Sequence, residues 1–224
     1  KGADGNENTW TLDGVTLTDM SSMPSPGYWD FDMFSEMRVN TGGADIQNQT
    51  PGVAVDLVLK SGTNAYHGSM RGYFANESLQ KNNLSDELAT SIGGDTEKGN
   101  RMDQYADYGF EIGGPILEDR IWGWASWGET DIRLRTLIDT IDRTTLTNRA
   151  VKIQGQVANG FRIGFTHFNS AKTKLGRGTS PTRPDETTFN QSGTGKGLFS
   201  GSGDWVIGND LVLSAKGKIG RAHV

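Results

Sequence analysis

From Ser69 onward the chain alternates apolar and polar side chains with a period of two, and it holds that period over about ten residues at a time. Ala106, Tyr108, Phe110 and Ile112 fall on one face of QYADYGFEIG, and Tyr105, Asp107 and Glu111 fall on the other. Val151, Ile153 and Val157 oppose Lys152, Gln154 and Gln156. Phe161, Ile163 and Phe165 oppose Arg162 and Thr166, and Leu211, Leu213 and Ala215 oppose Ser214, Lys216 and Lys218. Strands of this length with one apolar face are long enough to cross a bilayer when tilted. They also satisfy a two-sheet sandwich, so alternation alone leaves both open.

The connections sharpen the choice. Gly114–Asp119, Asn159-Gly160 and Val206–Asp210 read as short turns, and Asn-Gly is the strongest two-residue hairpin signal. Between them lie three long polar stretches, Asn76–Met102, Arg133–Arg149 and Ala171–Gly193. Short turns alternating with long ones are the habit of an outer-membrane barrel. Trp122, Trp124, Trp127 and Tyr108 are expected in or beside its aromatic girdle, although Ile121, Ala125 and Trp127 compete with Trp122 and Trp124 for the outward face.

The first 66 residues follow another grammar. Trp10–Val15, WTLDGV, is a short strand broken at the turn pair Asp13-Gly14. Ser21–Trp29 carries two prolines and a glycine and reads as a loop. Phe31, Phe34 and Met37 are spaced for one helical turn behind a cap at Asp30 or Asp32, and Met37–Thr41 reads as a strand ended by Gly42-Gly43. Val53–Leu59, VAVDLVL, is nearly continuous apolar, as a strand covered on both faces must be. Asp56 interrupts it and requires a partner there.

These motifs, in this order, resemble TonB-dependent outer-membrane transporters. WTLDGV is similar to a plug strand ending in Asp-Gly-Val. DFDMFSEMRVNTGG is similar to the helix and strand that precede a Gly-Gly turn. TPGVAVDLVLKSGTN followed by HGS resembles the last plug strand and the start of the barrel, and GFEIGGPILEDRIWGWASW resembles the second and third barrel strands. The match is good over residues 10–76 and 104–130, and Gln49-Thr50-Pro51-Gly52 is similar to the Oar-like branch. Asp56 stands where relatives usually carry Asn.

The resemblance implies a mainly β chain. Residues 1–66 are expected to be the C-terminal part of an α+β plug, and residues 67–224 an open arc of about seven strands from a barrel of about 22. Residues 219–224, IGRAHV, resemble a reading frame of a sequencing adapter and are read as an artefact, so His223 carries no role. The signal peptide, the TonB box and the first half of the plug are not found in the chain, and an open arc is not expected to function alone, because its edge would have no partner in lipid.

The implied function is import: an extracellular small molecule, oligosaccharide or peptide binds outside and passes the plugged barrel on energy from the TonB complex. The implied location is the Gram-negative outer membrane, with its lipid as a further partner. Loops 21–29 and 41–50 correspond to apical plug loops, which makes Tyr28, Trp29, Asp45 and Gln47 the candidate ligand contacts. Packing of the plug against the wall is the equal alternative for the two aromatics. Arg71, Lys152 and Arg162 are candidates for the lumen, where they guide an acidic ligand or satisfy plug carboxylates.

Other functions have less support. There is no cysteine, which removes disulfides and thiolate chemistry. His67 and His167 lie in no ligand-spaced cluster, so no metal or cofactor is expected. Gly193–Gly203 lacks the Gly-Lys-Ser/Thr of a phosphate loop, and no catalytic constellation is found, so the chain is not expected to be an enzyme. A net charge of −5 without a basic patch argues against nucleic acid. The rival reading is a secreted soluble β-sandwich that binds carbohydrate. It shares the aromatics and glycines but needs neither a strand buried on both faces nor the alternation of connection lengths.

Overall fold

The computed structural model describes residues 7–17, 27–41, 52–81, 84–92, 99–136, 138–180, 182–188, 190–192, 197–208 and 210–220. The expected ligand contacts Asp45 and Gln47 lie outside these residues, as does most of loop 21–29.

Two separate sheets form. The smaller contains β1 (Thr9–Leu12), β2 (Val15–Thr16), β3 (Phe34–Asn40) and β4 (Ala54–Leu59) in the order β2-β1-β4-β3. β1 and β2 make an antiparallel hairpin, while β1 lies parallel to β4 and β3 antiparallel to it. Asp13 and Gly14 both take positive φ, 50° and 74°, which is the type I′ geometry that suits a two-residue hairpin. As the apolar run requires, β4 is central, with Ala54, Val55, Leu57 and Leu59 buried. Asp56 is accommodated there by a hydrogen bond from the Thr11 hydroxyl. The expected helical turn is one 3-10 turn, Phe31–Met33, capped by the Asp30 carboxylate, which accepts from the Asp32 amide. No α-helix occurs among the described residues of this sheet's segment, and β3 begins at Phe34, three residues before the expected start.

The larger sheet is an antiparallel meander of β5 (His67–Asn76), β6 (Arg101–Leu117), β7 (Ile121–Arg135), β8 (Ile141–Ala158), β9 (Phe161–Leu175), β11 (Leu198–Ile207) and β12 (Leu211–Ile219). A short β10 (Gln191–Ser192) hangs on β9, and helix α1 (Asp86–Ile92) lies between β5 and β6. The seven strands on the path form an open arc, as the alternation implies. Turns at one end are short, at 118–120, 159–160 and 208–210.

Two expected connections are shorter than the sequence suggests. β6 continues through Gly113-Gly114-Pro115 to Leu117. The polar stretch 133–149 is mostly strand, since β7 ends at Arg135 and β8 begins at Ile141. Asp131, Arg133, Arg143, Thr145 and Thr147 continue the outward rows of β7 and β8. Alternation disappears there because the outward face turns polar and the inward one is mixed, with Leu134 and Leu146 among Asp142, Thr144 and Asn148, although the backbone ladder persists.

Register decides which face is which. The row Ile112–Ala125–Val151–His167–Phe199 points away from the smaller sheet, and the row Glu111–Ser126–Ala150–Phe168–Leu198 points towards it. Phe110, Ile112, Ile163 and Phe165 are 53%, 58%, 47% and 43% exposed, while Phe168, Ala150 and Leu198 are buried. A sandwich would cover the outward row with a second sheet; here the second sheet covers the opposite row instead, and the sandwich reading is set aside.

The apolar outward band runs on β6 from Tyr108 to Ile116, a height of about 20 Å at ordinary barrel tilt. Its upper boundary steps along the arc. Phe74 pairs with Ala106, Tyr108 with Glu129, and Trp127 with Arg149, so each boundary residue faces one that lies beyond the boundary on the next strand. A level layer crossing tilted strands produces this slippage. Tyr108 and Trp127 pack together at that boundary, ring centroids 5.6 Å apart. Trp122 and Trp124 depart from the girdle expectation: both point inward, Trp124 with only 2% exposure.

The segment joining the two sheets explains the Lys-Ser-Gly-Thr-Asn punctuation. The Asn64 side-chain oxygen accepts from the Trp122 indole at 2.6 Å and the Asp119 amide at 3.0 Å, tying the linker to the β6–β7 turn. A Cβ on Gly62 would lie 2.3 Å from the Gly123 carbonyl oxygen and 2.8 Å from that of Gly114. Gly62→Ala is therefore expected to cost on the order of 1–3 kcal/mol in thermal or denaturant unfolding. A variant as stable as the parent would show that the linker passes the wall less closely.

Candidate functional site

The inner face of the arc and the small sheet meet through three groups of charges around one aromatic stack. Asp13 sits at the left-handed first position of the β1–β2 turn, which directs its carboxylate out of the sheet. It accepts from Lys152 Nζ at 2.9 Å, from the Leu59 amide at 3.2 Å and from the Thr166 hydroxyl at 3.5 Å. Lys152 is buried on β8 and donates also to the Leu59 carbonyl at 3.2 Å.

Arg71, on β5, is the second group. Its guanidinium reaches Asp30 at 2.9 Å and Asp32 at 3.0 Å, both on the 3-10 turn, and its own wall neighbour Asp107 at 2.8 Å. The third is Lys60, just past β4, which meets Glu111 of β6 at 2.7 Å. Glu111 also accepts from Ser69 and from the Trp124 indole, each at 2.9 Å. Charges this enclosed are tolerable because they are paired and further hydrogen-bonded.

Trp29 fills the gap between these anchors. It stacks on Trp10 at 5.9 Å and on Phe168 at 5.5 Å and meets Phe34 edge-on at 6.0 Å. Tyr28 is pinned beside it. Its amide donates to Ser170 Oγ at 3.0 Å, Ser170 donates to its carbonyl at 2.7 Å, and Lys172 donates to its hydroxyl at 2.9 Å.

One cavity lies beside the contact and another lies away from it. One, of about 310 Å³, lies between the β1–β2 turn and the wall, lined by Asp13, Lys152, Gln154, Thr166, Ser202 and Lys216 among others. The other, of about 610 Å³, lies at the end opposite the short turns, where Leu79, Met102 and Leu134 share its lining with Arg101 and Arg135.

The sequence-derived residues thus fall into three places. Arg71 and Lys152 are on the inner face and hold carboxylates of the small sheet's segment. Arg162 is also on the inner face, exposed, in a hollow near Trp122 and Asp204 at the short-turn end. Tyr28 and Trp29 are wedged against β9. Sequence reasoning took Asp13, Asp30 and Asp32 for turn and cap residues, and it offered Arg71 and Lys152 as possible partners of plug carboxylates without identifying which; Asp13, Asp30 and Asp32 are those carboxylates. Phe168, Ser170, Lys172 and Glu111 were missed too, because inner-face alternation marks them as inward without naming what they meet. Among the described residues no cluster of three or more acidic, histidine or cysteine side chains is arranged to hold a metal. The arrangement holds one body against another, and the charges of its three groups are matched to structural partners.

Residues 58–158 match a family model described as an outer membrane beta barrel domain. Over 136 residues the chain is 26% identical to the TonB-dependent transporter Oar of Myxococcus xanthus, an alignment that covers 59% of this chain and 12% of that protein. The fold superposes on the crystal structure of the siderophore receptor PirA from Acinetobacter baumannii with a TM-score of 0.60 at 11% identity, covering 91% of this chain and 30% of that one. The chain therefore spans a minor part of the length of either protein.

Proposed function

We propose that this chain, an outer-membrane β-barrel polypeptide similar to TonB-dependent transporters, is the plug-and-wall portion of an importer driven by TonB. In this reading residues 1–66 are the C-terminal part of the plug and residues 67–224 the first strands of the barrel. An extracellular small molecule, oligosaccharide or peptide binds above the plug, with Tyr28, Asp45 and Gln47 as contacts and Trp29 as the packing residue that seats them. Lys152 and Arg71 hold the plug, and Arg162 faces the passage below. Force from the TonB complex then unseats the plug.

The observation that carries this reading is the fastening of a separate mixed sheet to the inner face by Asp13–Lys152, Asp30–Arg71 and Lys60–Glu111. A passive pore has no use for such a body. The test is conductance of the intact protein carrying this chain in planar bilayers bathed in potassium chloride. The closed state is expected, and deletion of the plug segment is expected to open a large steady current. A large current from the intact protein would establish the passive pore instead. Retention of a purified periplasmic TonB domain by the intact protein tests the coupling; failure to retain it would remove the energy source from the proposal.

A further inference from the structure

The larger cavity, at the end opposite the short turns, is used neither by the fastenings nor by the aromatic stack. Its floor is apolar. Met102 of β6 and Leu134 of β7 pair across the inward face, Ala75 of β5 lies beside them, and Leu79 of the 3-10 turn Glu77–Leu79 stands at the rim. Leu79 is 75% and Leu134 40% exposed. Leu134 lies seven residues past Trp127, about 20 Å further along β7 and on the opposite face. The bilayer does not reach that surface, and no described residue of the small sheet lines it. Apolar side chains left open in a concave site mark a place for a guest.

The charges around this floor are spent. Arg101 pairs with Glu77 at 3.3 Å and Asp139 at 3.5 Å, Arg135 with Asp103 at 2.7 Å and Asp139 at 3.2 Å, and Asp142 with Lys174. The exposed guanidinium of Arg183 comes close to Gly178 on the rim. Among the described residues, four cations thus balance four carboxylates, and an ionised guest would lose its hydration without meeting an unmatched opposite charge.

What remains is neutral hydrogen bonding. Asn76 Oδ1 accepts from the Ser78 amide at 3.2 Å and the Ser78 hydroxyl at 2.6 Å, and Gln80 Oε1 accepts from the Met102 amide at 2.9 Å. Both side chains line the cavity, and with their oxygens taken they offer N–H groups. Arg101 adds Nη1, which is buried and has no hydrogen-bond partner. Donors in neutral surroundings are matched by carbonyl oxygens. No aromatic ring is among the described lining residues, so the flat face on which a sugar packs is missing.

We infer that this cavity is a subsite for a short apolar peptide, with an uncharged aliphatic side chain on the Leu79–Met102–Leu134 floor and backbone carbonyls against the N–H groups of Asn76 and Gln80. Its volume of about 610 Å³ is ordinary for a site that encloses a small guest. The inference rests on the importer reading, in which the ligand arrives from outside, and narrows its three ligand classes to one.

The test is isothermal titration calorimetry of the intact protein in lipid nanodiscs with acetyl-Leu-Gly-Leu-amide, with the same peptide ending in a free carboxylate, and with maltotriose; empty nanodiscs give the partition background. The parent is expected to bind the blocked peptide saturably, the free acid at least about fivefold more weakly, and maltotriose not at all. Leu79→Asp places a carboxylate at the exposed rim without opening a core, and is expected to weaken binding of the blocked peptide at least about tenfold. No saturable binding by the parent, equal binding by parent and variant, or binding of the free acid or maltotriose as tight as that of the blocked peptide would overturn the subsite. If Leu79→Asp fails to fold, Leu134→Ala is expected to weaken binding several-fold, and no change would overturn the subsite equally. The titration involves neither TonB nor current, so its failure leaves the conductance and TonB-retention results standing, and those can fail while the peptide is still bound.

Discussion

Replacing Phe168 by Ala is expected to weaken the packing of the small sheet against the wall by about 3–5 kcal/mol, whereas Phe165→Ala, three residues earlier on the same strand, is expected to leave that packing nearly unchanged. Phe168 is fully buried and stacks on Trp29, which itself stacks on Trp10. Truncation removes the middle contact between the Trp29 segment and the wall and leaves a hole that rigid strands cannot close. Phe165 lies on the opposite face, in the apolar outward band. Its sensitivity is to charge: Phe165→Arg is expected to cost about 2–4 kcal/mol of stability in a bilayer. Denaturant unfolding of the intact protein in lipid, followed by tryptophan emission, measures all three. A larger loss from Phe165→Ala than from Phe168→Ala would mean that the faces of the wall are assigned the wrong way round.

Lys152→Ala is expected to have a comparable effect, about 3–5 kcal/mol, for a different reason. It strands the Asp13 carboxylate, whose remaining donors are the Leu59 amide and the Thr166 hydroxyl. Asn at position 13 tolerates the positive φ of 50° that the turn imposes, so Asp13→Asn removes the charge without breaking the hairpin. Combining Asp13→Asn with Lys152→Met is therefore expected to recover most of the loss seen in Lys152→Ala. A double variant as weak as the sum of its single changes would show that the two groups act independently and that the pair is not the fastening described here.

The wall strands were legible in the sequence wherever one face meets an apolar layer and the other does not. Phe161, Ile163 and Phe165 against Arg162 and Thr166 could hardly be read otherwise. Legibility ended where that contrast ended: Asp131, Arg133, Arg143 and Thr145 form regular ladder pairs, yet a polar residue on each face looks like a loop. Trp122 and Trp124 misled for the opposite reason. Large rings suit the membrane boundary, but they suit equally the inner wall, where Trp122 reaches Asn64 and Trp124 reaches Glu111. In the smaller sheet, Asp13-Gly14 and the apolar run of β4, interrupted only by Asp56, pointed to hairpin and centre. The fastenings themselves were beyond sequence reading. Lys152 and Asp13 are separated by 139 residues, and alternation tells only that the lysine points inward, not which carboxylate waits there.

The separation of the two sheets also bears on assembly. Apart from β10, which hangs on β9, every wall strand is hydrogen-bonded to the strand that follows it along the path, so the pairing is between sequence neighbours, through short turns at one end and longer connections such as 77–100 and 176–197 at the other. The contacts from Asp13 and Tyr28 to the wall instead close spans of 139 and 142 residues. They depend on side chains of β8 and β9 that come into line only when those strands are laid down. Among the described strands no ladder bond joins one sheet to the other. The small sheet is thus held to the wall by contacts that involve side chains, and lifting it away would break those while every described rung of the wall stayed closed.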